Sequence, residues 1–130
     1  MDFVRLQAIE KAQYPKRALI IYGPRRVGKT TLLQAYLARQ SGRIRFATGD
    51  ELAIRELFVK QSLAALQNFA GPFDIIAIDE AQQAPHVGRN AKMLVDTFPD
   101  KKLLLTGSSS FELSGQVGEP LTGRHFTLTL

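Results

Sequence analysis

The segment Gly23-Pro24-Arg25-Arg26-Val27-Gly28-Lys29-Thr30 constrains this chain more than any other. It is a complete G-x-x-x-x-G-K-[ST] match, and its flanks are the required ones. The apolar run RALIIY (17–22) precedes it and reads as a buried strand. Leu33, Tyr36 and Leu37 follow at helical spacing, with Ser41-Gly42 as the stop. Glycines let such a loop curl until its N–H groups point inward at phosphate oxygens. The helix that begins near Lys29 adds its positive end. Lys29 supplies a mobile cation for β- and γ-phosphates and Thr30 a hydroxyl for Mg²⁺. The expected nucleotide cradle comprises Gly23, Pro24, Arg25, Arg26, Val27, Gly28, Lys29, Thr30 and Thr31. Within it, Arg25 and Arg26 serve better as braces for neighbouring acids than as phosphate ligands.

A second apolar run, FDIIAID (73–79), ends in the pair Asp79-Glu80. Acids at the carboxyl end of a buried strand lie where open α/β sheets bind ligands. Asp79 is expected to hold Mg²⁺ mostly through water, since Mg²⁺ retains several of its waters. Glu80 is expected to orient and polarise an attacking water. Two carboxylates after a strand are weak evidence alone; a full phosphate loop upstream makes them strong.

The remaining segments alternate in type. A short amphipathic helix is expected over residues 1–16, ended by Tyr14-Pro15. IRFAT (44–48) reads as a strand. A single long helix is expected over 50–69, with Asp50 as N-cap and Val59, Leu63 and Leu66 on its buried side. Residues 87–98 form another helix, with Ala91, Leu94, Val95 and Phe98 on one face. KLLLT (102–106) is a strand followed by a polar turn through Gly107 to Ser110, residues 111–123 are irregular or weakly helical, and HFTLTL (125–130) is a last strand. Strands alternating with helices argue for a parallel sheet covered on both faces. The expectation is a three-layer αβα P-loop NTPase with a parallel five-stranded sheet. P-loop proteins with a catalytic glutamate insert a strand between the phosphate-loop strand and the acidic strand. Here that is 102–106, giving the order 5-1-4-3-2 and placing Thr106 and Ser108 near the γ-phosphate.

Composition narrows the alternatives. At 130 residues the chain fits one compact domain able to bury a core without staples. With no cysteine there is no disulfide framework and no thiolate metal site. Two histidines, His86 and His125, are too few for a catalytic zinc centre. No apolar run approaches the roughly 20 residues of a membrane span, and no secretory signal opens the chain, so a cytoplasmic protein without membrane contact is expected. Charge is uneven: residues 1–45 carry ten Lys/Arg against two Asp/Glu, and residues 46–130 carry seven against ten. The basic part suggests an anionic ligand, whether nucleotide phosphate, nucleic acid or acidic lipid, unless Arg39, Arg43 and Arg45 are only a solvated surface.

Together GPRRVGKTTLL (23–33), IDEAQ (78–82), LLLTGSSS (103–110) and LTGR (121–124) resemble the AAA-type P-loop ATPases of bacteria and archaea, in the AAA_14-like branch. The resemblance covers residues 17–130, and the last two motifs narrow it to this branch. It implies ATP rather than GTP, in keeping with the lack of an N-K-x-D guanine-reading run. It further implies a γ-phosphate sensor at Thr106 or Ser108, a nucleotide-responsive Gln82, and an arginine finger at Arg124 acting on a neighbouring subunit of a homo-oligomer. Members of the family continue past the last strand into a helical lid and a C-terminal domain. Residues 1–130 therefore read as an ATPase core that ends before those parts. The function so implied is Mg²⁺-dependent ATP hydrolysis coupled to movement of a further domain or partner. Two alternatives stand beside it: a P-loop small-molecule kinase, and a non-hydrolysing nucleotide switch or nucleic-acid-binding module.

Overall fold

The computed structural model describes Ile9, residues 18–23, residues 28–108 and the backbone of 125–129. In chain order the elements are β1 (Ala18–Tyr22), α1 (Lys29–Ala38), β2 (Ile44–Thr48), α2 (Leu52–Val59), α3 (Leu63–Ala70), β3 (Ile75–Asp79), a 3-10 turn (Ala81–Gln83), α4 (Val87–Thr97), β4 (Lys102–Gly107) and β5 (His125–Thr129). The strands lie in the order β2-β3-β4-β1-β5 and every pairing is parallel. β4, last but one in sequence, separates β1 from β3 in space, which is the inserted position expected of it.

Why these segments are strands follows from how they are covered. β1 and β3 are buried along their whole length. Their alternate side chains enter two separate cores. Ala18, Ile20, Tyr22, Ile76, Ile78, Leu103 and Leu105 face one way and meet Ile54 and Phe58 of α2, Leu66 and Phe69 of α3, and Leu94 and Val95 of α4. Leu19, Ile21, Ile75, Ala77 and Leu104 face the other way and meet Leu32, Leu33, Tyr36 and Leu37 of α1, with Ile9. A strand covered on both faces is apolar at every position, and this is why FDIIAID lacks polar alternation. β2 stands at the sheet edge, and only Ala47 of its five residues is buried. Its arginine Arg45 lies over Phe69, 5.0 Å from the ring centroid, and Arg43 lies 5.7 Å from that of Phe73. Two of the three arginines of the basic part singled out above, Arg43 and Arg45, are thus laid on aromatic rings at the sheet edge.

The long helix expected over 50–69 is two helices. Gln61 has a positive φ of 47°, and the hydroxyl of Ser62 then accepts from the Ala65 amide at 3.2 Å, capping a new start. The break resets the helical phase. Val59 is 57% exposed and Leu63 42% exposed, so of the expected stripe only Leu66 is core. Asp50 is not the N-cap either: Glu51 holds that position, and the Asp50 carboxylate accepts from Thr48 Oγ1 at 2.5 Å. β3 begins at Ile75 rather than 73, because Asp74 is bound to Arg43 at the entrance to β2. Its amide donates to Arg43 O at 2.7 Å, and its carboxylate accepts the Arg43 amide at 2.9 Å. The expected helix over 1–16, Ile9 apart, and the irregular segment 111–123 lie outside the described residues.

Candidate nucleotide site

With all strands parallel, their carboxyl ends share one edge of the sheet, the edge where ligands bind in open α/β folds. Register aligns these ends closely: Tyr22 opposite Gly107, and Thr48 opposite Asp79. Each functional side chain therefore leaves its strand at nearly the same height.

Gly28 opens α1 with φ 84°, a left-handed conformation that favours glycine. Its carbonyl accepts the first helical bond, from Leu32 N at 2.8 Å. No side chain caps the amides of this first turn. That leaves the helix start available to an anion. Lys29 is buried, and its Nζ donates to the carbonyl of Gly23 at 2.7 Å, so the ammonium closes the loop across its base. Gly23 in turn donates its amide to Gly107 O at 3.2 Å, which ties the loop entrance to β4.

Asp79 is buried at the end of β3, and both of its carboxylate oxygens are engaged. Thr30 Oγ1 donates to Oδ2 at 2.7 Å, and Thr106 Oγ1 donates to Oδ1. The Thr106 hydroxyl also accepts the backbone amide of Glu80 at 3.0 Å. One threonine on the inserted strand thus holds the first acid by its side chain and the second by its backbone.

Glu80 itself has φ 50° and ψ 47°, a left-handed conformation that a residue with a side chain adopts at a cost. The surroundings over-determine it. Besides the Thr106 contact, its carbonyl accepts Gln83 N at 3.0 Å, and its Oε2 accepts Gln82 Nε2 at 2.6 Å. Gly49 presses against the same carbonyl. A Cβ built on Gly49 would lie 2.3 Å from Glu80 O, while the Gly49 amide donates to Asp79 O at 2.8 Å.

These groups border a cleft of about 640 Å³ lined by Gly28, Lys29, Thr30, Thr31, Asp50, Glu80 and Gln83. The geometry brings Lys29, Thr30, Thr31, Asp79 and Glu80 together at the start of α1, as the spacing of the two motifs predicts. Thr106 sits behind them, fully buried and bonded to the acids. Ser108 follows β4, partly buried, and does not border the cleft. Pro24, Arg25, Arg26, Val27 and Arg124 lie outside the described residues. Sequence reasoning missed Gly49, Asp50 and Gln83. Asp50 looks like a helix cap in sequence, and nothing local announces that the Gly49 backbone meets β3.

The oxygens of Thr30 and Asp79 form a pair of hard donors suited to Mg²⁺. Among the described residues no group of three or more His, Asp or Glu side chains could hold a metal ion. A cation here would take its remaining ligands from phosphate and water, as Mg²⁺ commonly does. Among the described residues no helix is long and apolar enough to cross a membrane.

A parallel sheet with its inserted strand, a glycine-opened helix start and an acid bonded to that helix define the P-loop NTPase class. The chain belongs to the AAA_14 family, described as "AAA domain", whose model matches residues 15–130. Among solved structures it is similar to a point mutant of RuvB from Thermotoga maritima, with a TM-score of 0.58 and 17% sequence identity. The match covers 98% of this chain and 42% of that one, so the chain spans less than half the length of that relative. No curated protein matches the chain in sequence. Family and fold together support an ATP-binding P-loop ATPase domain.

Proposed function

We propose that this domain binds Mg²⁺–ATP across residues 23–31 and hydrolyses it. The observation that carries the reading is the engagement of Asp79 by two hydroxyls, Thr30 from the loop helix and Thr106 from the inserted strand. That arrangement joins the phosphate end of the site to the amide of Glu80 within one connected set of hydrogen bonds.

Roles follow from chemistry and position. The amides at the start of α1 and the ammonium of Lys29 receive phosphate oxygens, for which Lys29 leaves the carbonyl of Gly23. Thr30 and Asp79 would hold Mg²⁺, which when bound supplies positive charge against the β- and γ-phosphate oxygens. Glu80 accepts a hydrogen bond from the attacking water and aligns it on the γ-phosphorus, in line with the leaving oxygen. Thr106 reports the γ-phosphate through the two acids that it holds. Arg124, just before β5, would stabilise charge on the transferring group of a neighbouring subunit. Hydrolysis would then drive movement in a further domain or partner.

Lys29→Ala is expected to abolish nucleotide binding. Glu80→Gln is expected to keep binding and lose hydrolysis. Titration with a fluorescent ATP analogue and a phosphate-release assay separate the two steps. Hydrolysis at the parent rate by the glutamine variant would end the assignment of Glu80.

A further inference from the structure

A second cleft, of about 430 Å³, adjoins the nucleotide cleft at Gln83, and Arg55, Gln82, His86 and Arg89 are among its lining residues. Its lining holds two arginines and a histidine and no carboxylate. The nucleotide cleft, by contrast, contains Asp50 and Glu80. Arg55, His86 and Arg89 are all exposed.

The positive charge continues beyond this cleft. Arg89 and Lys92 lie three positions apart on α4, His86 is the left-handed residue just before its first turn, and Arg55 of α2 lines the same cleft as His86 and Arg89. Residues three apart lie along one side of a helix. At about 1.5 Å of rise per residue Arg89 and Lys92 are roughly 4.5 Å apart along the helix axis, and His86 and Arg55 carry the basic surface further. Arg89 borders both this cleft and a neighbouring one that it shares with Lys92, where the row ends at Asp96. Arg89 Nη1 donates to Gln61 Oε1 at 3.2 Å, which orients the guanidinium at the boundary between the two clefts.

Four basic side chains from two elements offer more donors than a single phosphate group takes up. The row's charged side chains are hydrogen-bond donors, two guanidiniums and an ammonium, with the His86 imidazole beside them. Such a set matches a chain of phosphate oxygens better than the mixed polar and apolar surface of a peptide. We propose that the row formed by Arg55, His86, Arg89 and Lys92 is a nucleic-acid backbone site, distinct from the nucleotide cleft.

The test is a titration of the full chain against labelled single-stranded DNA of about 20 nucleotides, repeated over a series of salt concentrations. Binding should weaken with salt, with a log–log slope of about −0.7 per phosphate contacted. The triple variant Arg55→Ala/Arg89→Ala/Lys92→Ala should bind at least tenfold more weakly with a shallower slope. A second triple variant, Arg39→Ala/Arg43→Ala/Arg45→Ala, should keep most of the affinity. Binding of a fluorescent ATP analogue, measured on the same proteins, should not change, so loss of DNA binding is distinguishable from failure of the ATPase reading. Three results would overturn the site. They are no DNA binding by the parent, equal affinity and slope in the first triple variant, and equal competition by poly-glutamate of matched charge, which would assign the row to an acidic polypeptide.

Discussion

Gln82 holds Glu80: the Nε2 amide donates to Oε2 at 2.6 Å, two residues away along the chain. The contact occupies one of the two oxygens with which Glu80 would receive water. The backbone of Glu80 is already fixed by Thr106, Gln83 and Gly49, so its side chain needs little further orientation from Gln82. Hydrogen bonds to charged groups contribute about 1.5–3 kcal/mol. Gln82→Ala should therefore raise basal ATP turnover, by roughly tenfold or more, with nucleotide affinity little changed. Steady-state turnover beside a binding titration reads both quantities. A fall in turnover at constant affinity would mean that Gln82 orients the acid instead of restraining it.

Two glycines near the site are required for different reasons. Gly49 lacks room, with Glu80 O only 2.3 Å from where a Cβ would stand. Gly28 has no atom within 4 Å of such a Cβ, but its φ of 84° is left-handed. Gly49→Ala should cost about 1–3 kcal/mol by forcing two backbones apart, and it should depress turnover by moving Glu80. Gly28→Ala should cost about 1–2 kcal/mol through conformation alone. Thermal melts rank the two for stability, and phosphate release shows which of them moves the acid.

Thr106→Val preserves volume and removes the hydroxyl. The Glu80 amide then loses its acceptor and Asp79 loses a donor, both beside a buried side chain. An unsatisfied buried group costs about 1–3 kcal/mol. Turnover is expected to fall at least tenfold, with a smaller change in KM, while Thr106→Ser retains most of it. Equal loss in both variants would point to the methyl group and away from the hydrogen bonds.

Phe58 and Val59 are neighbours with opposite fates. Phe58 is fully buried and meets Phe69 edge-on, with ring centroids 6.5 Å apart, whereas Val59 is 57% exposed. Phe58→Ala should destabilise by about 3–5 kcal/mol. Val59→Ala should stay within about 0.5 kcal/mol of the parent. Urea unfolding of both variants checks the break at Gln61. A continuous helix with Val59 on its buried side would reverse the order.

The phosphate loop, the acid pair and the alternation of strand and helix are properties of local sequence. Each rests on neighbouring residues: glycines in a turn, apolar runs too uniform to be half-exposed, and a lysine and a threonine at fixed spacing. The inserted place of β4 was within reach because P-loop proteins with an acid pair of this kind insert a strand between the phosphate-loop strand and the acidic strand. What the tertiary structure alone decided depends on contacts between distant segments. Thr106 meets Asp79 across 27 positions and Thr30 meets it across 49. The need for glycine at position 49 arises from the carbonyl of Glu80 on the adjacent strand. The break at Gln61 sits inside an apolar periodicity that looked continuous, because a phase reset costs little when each half can bury its own face against the sheet. Local propensity selects the elements. Which polar groups meet at their ends is set by the packing of the sheet, where a buried carboxylate must find its donors on whatever strand is brought beside it.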